Sequence, residues 1–410
     1  MKVVVIGAGA SGMMASVLLA RRGQEVVLLE KNSAIGKKIL VTGKGRCNVT
    51  NTATGEEFLA NVVHGKKFLI SAEKAFNSKN TMQFFEDLGV KLKVERGNRV
   101  FPETDSARTI NEAFLKALKD SGVKLVLGAE VQNVQKDNDN FIVQTNTGKF
   151  EAKAVVVATG GLSYPLTGST GDGYEFAQNF GHKIIECKSA LNGVKIKGNE
   201  CKALEGLSLK NVTISAKNQG CKVFYKSEIG EMLFTSVGIS GPIVLTMSSY
   251  INRESIKTCE IDFKPALSLE KIKAKIDAEI ENAPRKELQT LLSSMLPKRI
   301  VEIMAKRLQV AIKTQLNQLS RQKRDELANL LKCFSLEYAG VEGIEQSVIT
   351  SGGVCLDEIN PKDMQSKIVN GLFFIGEVLD VDALTGGFNL QIAFSTANAC
   401  ASSKFFEGGR

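Results

Sequence analysis

Very little in this 410-residue chain would build a hydrolase, a metal centre or a disulfide framework. It holds two histidines, and the sequence sets no acid partner beside either. His64 lies in a polar stretch and His182 follows a helix end at Phe180-Gly181, where it reads as a cap, so a Ser-His-Asp relay is not expected. The eight cysteines, at 47, 187, 201, 221, 259, 333, 355 and 400, are dispersed. They form no C-x-x-C pair and no Cys/His cluster at zinc spacing, which predicts reduced thiols and no metal. No apolar window is long enough to span a bilayer. Val3 to Ala20 is broken by three glycines and followed by Arg21-Arg22, which does not fit an export signal, so a cytoplasmic protein is expected. A basic, aromatic-interleaved stretch is also missing. The net charge of +9 therefore reads as a solvated surface that steers anionic ligands, and nucleic acid is not expected as a partner.

Hydrophobic residues make up 43% of the chain, ample for packed cores, and its length favours two or three domains over one. The first thirty-one residues are the most informative. The apolar run Val3-Val4-Val5-Ile6 leads into Gly7-Ala8-Gly9-Ala10-Ser11-Gly12, then an amphipathic stretch to Arg22-Gly23, then Val26-Val27-Leu28-Leu29-Glu30. Strand, glycine turn, helix and acid-tipped strand make a mononucleotide-binding unit. Gly7 serves the tight turn, Gly9 the close approach of a pyrophosphate and Gly12 the helix–strand packing, while Glu30 is placed for ribose hydroxyls. An ordinary glycine-rich turn would lack the acid at that distance.

Three further segments bear on which dinucleotide binds. After Lys31 comes a basic loop without helical or strand period, Asn32 to Thr50, containing Lys37, Lys38, Gly43, Lys44, Arg46, Cys47 and Asn48. Its likeness to a P-loop is superficial, because Gly45 follows Lys44 where Ser or Thr is needed. Such a loop suits a cofactor larger than a nicotinamide nucleotide. Strands of a meander at 123–134 and 141–145, with a turn at 146–148, lead to the buried strand Ala154 to Val157 and the small-residue turn Ala158-Thr159-Gly160-Gly161. Near residue 376 another strand ends in Gly376-Glu377, followed by Asp380, by Gly386-Gly387-Phe388-Asn389, and by an apolar helix from about Leu390 to Ser402.

With the segments GAGASGMMAS, LLEKN, GKKILVTGKGRCNVTN, ATGGLSYPLTGSTGDGYEFAQNFGH, GISGPIVL and GEVLDVDALTGGFNLQIAFSTA, nearly the whole chain resembles a family of bacterial FAD-dependent oxidoreductases. That family includes 3-dehydro-bile-acid Δ4,6-reductases and aminoacetone oxidase. The resemblance implies an α/β fold, a two-dinucleotide-binding-domain flavoprotein with a Rossmann-like FAD domain. It implies that Glu30 and Lys31 contact the adenosine ribose, that Val131 gives adenine a backbone contact, and that Gly43 to Asn48 approach the isoalloxazine ring. It also implies that the helix opening at Gly387, Phe388, Asn389 and Leu390 starts under the flavin pyrimidine. Glu377 departs from the wider fold, where an aspartate commonly meets the ribityl chain.

A reduced flavin carries negative charge at N1 and the C2 carbonyl, so a cation or helix N-terminus there favours it. Asn389 to Gln391, with Lys44 or Arg46, are the candidates, and Gly386-Gly387 would let backbone approach the ring. Cys47 lacks a resolving thiol and reads as a packing residue. Tyr164 is the candidate proton donor, with packing as its alternative role.

The chain's middle differs. Short strands at 212–214, 222–224 and 231–234 predict an inserted β domain over 190–266. Helical period over Ser268 to Cys333, divided by Pro284 and Pro297, predicts a helical subdomain over 267–346. Residues 1–189 and 347–410 form the two parts of the FAD-binding domain, and a substrate cleft is sought where the inserted module meets the ring. Gly238 to Pro242 would open a helix whose N–H groups could take a substrate anion.

The resemblance implies NAD(P)H-dependent reduction of an activated C=C bond in an α,β-unsaturated ketone, or oxygen-dependent amine oxidation. A third class, an FAD-containing protein that modifies tRNA or binds nucleic acid, is suggested by the charge. No separate nicotinamide fingerprint is visible, so NAD(P)H would be a transient donor beside a small-molecule substrate.

Overall fold

The computed structural model describes residues 1–407. They fall into two compact units, residues 1–189 with 344 onward, and residues 190–343. In the first, five parallel strands lie in the order Leu372–Phe374, Ala154–Val157, Lys2–Ile6, Glu25–Glu30, Lys124–Leu127. Val3, Val4, Val5 and Val155 to Val157 are fully buried. Continuous rather than alternating apolar runs suit a sheet covered on both faces. Strand order reverses beside Lys2–Ile6, and a crevice opens outside the carboxyl ends at such a switch point.

Helix Ala10–Arg21 returns the chain from the first strand to the second, and the last helix, Phe388–Ala401, packs against it. Gln391, 1% exposed, anchors that last helix. Its Oε1 accepts from Thr50 Oγ1 at 2.6 Å and Thr81 Oγ1 at 2.8 Å, and its Nε2 donates to the Phe76 carbonyl at 3.1 Å and Ser395 Oγ at 3.0 Å. The buried amide is thus satisfied from three other segments. Of the meander expected over 123–145, Lys124–Leu127 belongs instead to the parallel sheet, and the antiparallel strands are Val131–Asp137, Asn140–Thr145 and Gly148–Ala152.

In the second unit, strands Ser208–Asn218, Gly230–Phe234, Gly238–Ser240, Val194–Ile196, Phe334–Val341 and Ile256–Asp262 pair antiparallel in that order, and the last pairs back to the first. Six strands so joined close on themselves and leave no open edge among them. Val223–Lys226 adds outside the ring, against Ser208–Asn218. Helices Leu269–Asn282, Leu288–Ser293, Lys298–Leu308 and Arg321–Lys332 follow, two of them capped by Ser268 and Ser320. Strand Phe334–Val341 lies beyond the helices yet belongs to the ring, and one core contains Ile214, Ile276, Leu327 and Leu336. Residues 190–343 therefore form one unit in which the strands and the helices share a core. Gly238–Ser240 is a strand, and helix Pro242–Ile251 starts with its proline in the first turn. No helix among the described residues is long and apolar enough to cross a membrane.

Candidate active site

A groove runs along the carboxyl ends of the parallel strands, entirely within the first unit. Gly7, Gly9, Ala10, Ser11, Glu30, Lys31, Lys37, Lys38, Val131, Thr159, Gly160, Glu377, Asn389 and Leu390 line it. The three fingerprint glycines differ in what surrounds them. Gly7 has φ 102°, an added Cβ at Gly12 would lie 1.9 Å from the Gly7 carbonyl oxygen, and one at Gly9 would meet nothing within 4 Å. Helix Ala10–Arg21 begins at Gly9 with no side-chain cap, and helix Phe388–Ala401 begins at Gly387 likewise. Neither carries an acid in its first turn, so both leave N–H donors and a positive dipole end for an anion.

Glu30 turns its carboxylate into the glycine turn. Oε2 accepts from Ala8 N at 2.8 Å, and Oε1 from Asn32 N at 2.9 Å and Asn32 Nδ2 at 2.6 Å. The acid thus orders the loop that lines the groove and keeps lone pairs for hydroxyls. Lys31 pairs with Asp172 at 2.7 Å, and Lys37 donates to Asn32 Oδ1 at 2.7 Å. Thr159 lines the wall with its hydroxyl turned toward Gly173, where a Cβ would sit 2.1 Å away.

Glu377 is the centre of a second cluster. Lys38 Nζ lies 2.6 Å from Oε2, Ser163 Oγ donates to Oε1 at 2.9 Å, and Thr350 N donates to Oε1 at 3.0 Å. Burial works against the charge of Glu377, but Lys38 and these donors outweigh it and hold the carboxyl below its usual range. Lys38 also donates to Ser163 Oγ at 2.6 Å.

Several expected residues lie elsewhere. Arg46 is taken up by Glu95 and Asp105 and stacks over Phe101 at 4.2 Å, and Lys44 is exposed outside the groove. Neither supplies the groove's cation. Lys37 and Lys38 do. The side chains of Asn389 and Gln391 are also occupied, Asn389 by the backbone of Ala383 at 2.8 and 2.9 Å, so only helix N–H groups remain there. Gly387, at φ 98°, does give close approach, but to this chain's own backbone, since a Cβ would lie 2.4 Å from the Thr50 carbonyl. Gly12, Gly43, Arg46, Cys47, Asn48, Gly161, Gly376, Asp380, Gly387 and Phe388 are not among the groove's lining residues. Cys47 is 1% exposed, and burial pushes its thiol up to about 12, which suits packing and not redox work. Tyr164 is also outside the lining, its ring centre 5.9 Å from Lys38 Nζ.

Both histidines have acid partners that sequence proximity does not reveal. His182 is buried, its ring between Glu358 Oε2 at 3.1 Å and Ser366 Oγ at 2.7 Å, while its backbone N–H donates to the Ala177 carbonyl at 3.0 Å and so caps the helix end that precedes it. His64 meets Asp382 at 2.6 Å.

A switch-point groove with two uncapped helix ends, a glycine fingerprint and an acid at the end of the second strand fits FAD, and it defines a Rossmann-type flavoprotein of the oxidoreductase class. Within that class the chain belongs to the family described as HI0933-like protein Rossmann domain, whose model matches residues 1–403. It is 33% identical over 407 residues to a ribosomal RNA dihydrouridine synthase of Haemophilus influenzae, covering 98% of this chain and 97% of the relative. A protein of the same description from Escherichia coli is 32% identical over 401 residues, covering 97% and 96%. The 3-dehydro-bile acid Δ(4,6)-reductase of Clostridium scindens is 29% identical over 403 residues, covering 96% and 97%. The expectation against nucleic acid finds no support in the first two names. Among solved structures, 3-ketosteroid Δ1-dehydrogenase from Sterolibacterium denitrificans gives a TM-score of 0.51 over 98% of this chain and 99% of that one, at 13% identity, a likeness of fold.

Proposed function

We propose that this protein uses FAD and NAD(P)H to reduce a C=C bond conjugated to a carbonyl, and that the bond is the C5=C6 of a uridine in RNA. One observation carries the reading: the names of three relatives aligned along nearly their whole length describe one reaction on two skeletons. In dihydrouridine formation and in Δ(4,6) reduction alike, the alkene lies in conjugation with a carbonyl and gains a hydride and a proton.

FAD, when bound, supplies the two-electron carrier that accepts hydride from a nicotinamide and passes it to carbon. The chain's residues have separable tasks. The free N–H groups after Gly9 would hold the pyrophosphate, Glu30 the ribose hydroxyls, and the backbone near Val131 the adenine. The N-terminus of Phe388–Ala401 and the ammonium of Lys38 face negative charge accumulating in the groove, and Glu377 fixes that ammonium in place.

The RNA reading is favoured over a steroid enone by where the charge lies. Residues 190–343 contain 24 Lys and Arg against 17 Asp and Glu, so they hold +7 of the net +9. A polyanion gains many contacts from such a unit, whereas a bile acid brings a single carboxylate.

The test uses purified yellow protein, reduced anaerobically with NADH or NADPH in a stopped-flow instrument and then mixed with ribosomal RNA lacking dihydrouridine or with a steroid 4,6-dien-3-one. Reoxidation by the RNA, with dihydrouridine found by mass spectrometry of its nucleosides, supports the reading. Reoxidation by the dienone alone moves the substrate to steroids. Bleaching by an amine, with reoxidation by oxygen only, overturns the reductase.

A further inference from the structure

His64 ends the short strand Val62–His64, which pairs antiparallel with Asp382–Ala383 and sets His64 opposite Asp382. Imidazole Nδ1 lies 2.6 Å from Asp382 Oδ1 and 3.4 Å from Ser351 Oγ. Asp382 is fully buried, and its second oxygen, Oδ2, has no hydrogen-bond partner among the described residues. A buried carboxyl group bonded in this way fixes the orientation of the ring through Nδ1. The histidine side chain is 24% exposed, and no described residue hydrogen-bonds Nε2. His182, the other histidine, has both ring nitrogens engaged and is shut in the core.

The pair stands directly behind the groove. Val381 and Ile349 line it. Val381 also packs on Gly65, where an added Cβ would lie 2.5 Å from its Cγ1, and Ser351 follows Ile349 by two residues on Ile349–Val354. Neighbours of the pair thus line the groove, the Nδ1 side is held by the buried Asp382 carboxyl, and Nε2 has no hydrogen-bond partner among the described residues.

We propose that His64, oriented by Asp382, is the proton donor that completes reduction of the conjugated C=C bond, the role for which the sequence pointed to Tyr164. The proposal rests on the reductase reading above. The bound cofactor would supply the hydride that the β-carbon needs, and the α-carbon takes a proton from His64 as the Nε2–H bond breaks and a C–H bond forms. The N–H electron pair stays on the imidazole, Asp382 holds the ring at Nδ1, and solvent returns the proton to the exposed side.

The experiment compares wild-type holoenzyme with His64→Gln and Asp382→Asn in three readouts: flavin content, the rate of flavin reduction by NAD(P)H, and the rate of reoxidation by the conjugated substrate. His64→Gln is expected to retain flavin and its reduction rate while slowing reoxidation by roughly 100-fold or more. In D2O the wild-type product should carry deuterium on one face of the α-carbon, and the variant should lose that stereochemistry. With two histidines in the chain, diethyl pyrocarbonate should modify one ring, and an oligonucleotide carrying the dihydrouridine product should protect it. If His64→Gln loses its flavin, carbethoxylation of wild-type holoenzyme takes its place. It must block reoxidation, spare flavin reduction and be reversed by hydroxylamine. Reoxidation of His64→Gln at the wild-type rate, or absence of protection by the product oligonucleotide, overturns the assignment while leaving the reductase standing. A wild-type enzyme that reduces no conjugated alkene overturns both.

Discussion

The two units use the same amino acids for different ends. Residues 190–343 hold 9 of the chain's 37 glycines and most of its surplus positive charge, whereas the groove-bearing unit holds 28 glycines and is nearly neutral. In the groove unit a glycine or a charge is commonly fixed by what touches it, such as Gly12 by the Gly7 carbonyl or Glu377 by Lys38. In the inserted unit, charges such as Lys197 and Glu337, at 60% and 59% exposed, meet mainly water. The groove should therefore be brittle to single changes, and the inserted unit should respond only to their sum.

The sharpest break is a matched pair of glycine substitutions. Gly12→Val should destabilise the protein by at least about 3 kcal/mol in urea unfolding and abolish flavin absorbance, because the first added carbon already overlaps the Gly7 carbonyl. Gly220→Ala, whose Cβ would meet only the Asn218 side chain at 3.4 Å, should stay within about 0.5 kcal/mol. Equal losses at both sites would dissolve the contrast.

Ion pairs provide a second, smaller test. Lys38→Met strands Glu377 in a largely buried site and should cost about 2 kcal/mol of stability, discounted for the partial exposure of both side chains. Lys197→Met, in an exposed pair, should cost less than about 0.5 kcal/mol. Thermal unfolding of the two apoproteins measures the difference.

Acid titration gives a third. Burial lowers the proton affinity of His182 below its ordinary 6.5, with Glu358 pulling the other way. The unfolded chain then binds a proton that the folded one refuses, so stability should fall as pH drops below about 6.5, with a slope no steeper than about 1.4 kcal/mol per pH unit. His182→Gln should flatten the Tm profile over that interval.

The smallest effect per residue belongs to the charged surface. If RNA binds there, Lys222→Gln just before the outer strand and Lys226→Gln at its end should each lower the slope of log affinity against log salt by about one, while flavin reduction by NAD(P)H stays unchanged.

Legibility followed the same division. The strand, glycine turn, helix and acid at 2–30 could be read because each demand is local: a positive φ, a missing Cβ, a carboxylate at the strand's end. The groove's cation could not, because Lys38 and Arg46 are alike in sequence and only the fold brings Glu95 and Asp105, 49 and 59 residues away, to claim Arg46. His64 was passed over for want of an acid, and Asp382 arrives from 318 positions along the chain. Residues 52–122 yielded no elements from pattern alone. The reciprocal cap at Asn77 and Asn80 that opens Ser78–Asp87 uses asparagine where Glu or Gln is the usual third residue, so the signal was there in unfamiliar form. The inserted unit was visible as β followed by α, but strand Phe334–Val341, which returns beyond four helices to close the ring, was not.

The groove's wall is built from both sides of a 154-residue excursion, with Gly7 and Glu30 before it and Glu377, Asn389 and Leu390 after it. During translation the inserted ring and its helices can emerge and fold while the nucleotide sheet still lacks the strand Leu372–Phe374. Prosthetic-group capture is thereby deferred until synthesis has passed the last helix. Ribosome-stalled nascent chains cut before residue 370 should remain colourless in the presence of FAD, and chains released beyond residue 402 should turn yellow.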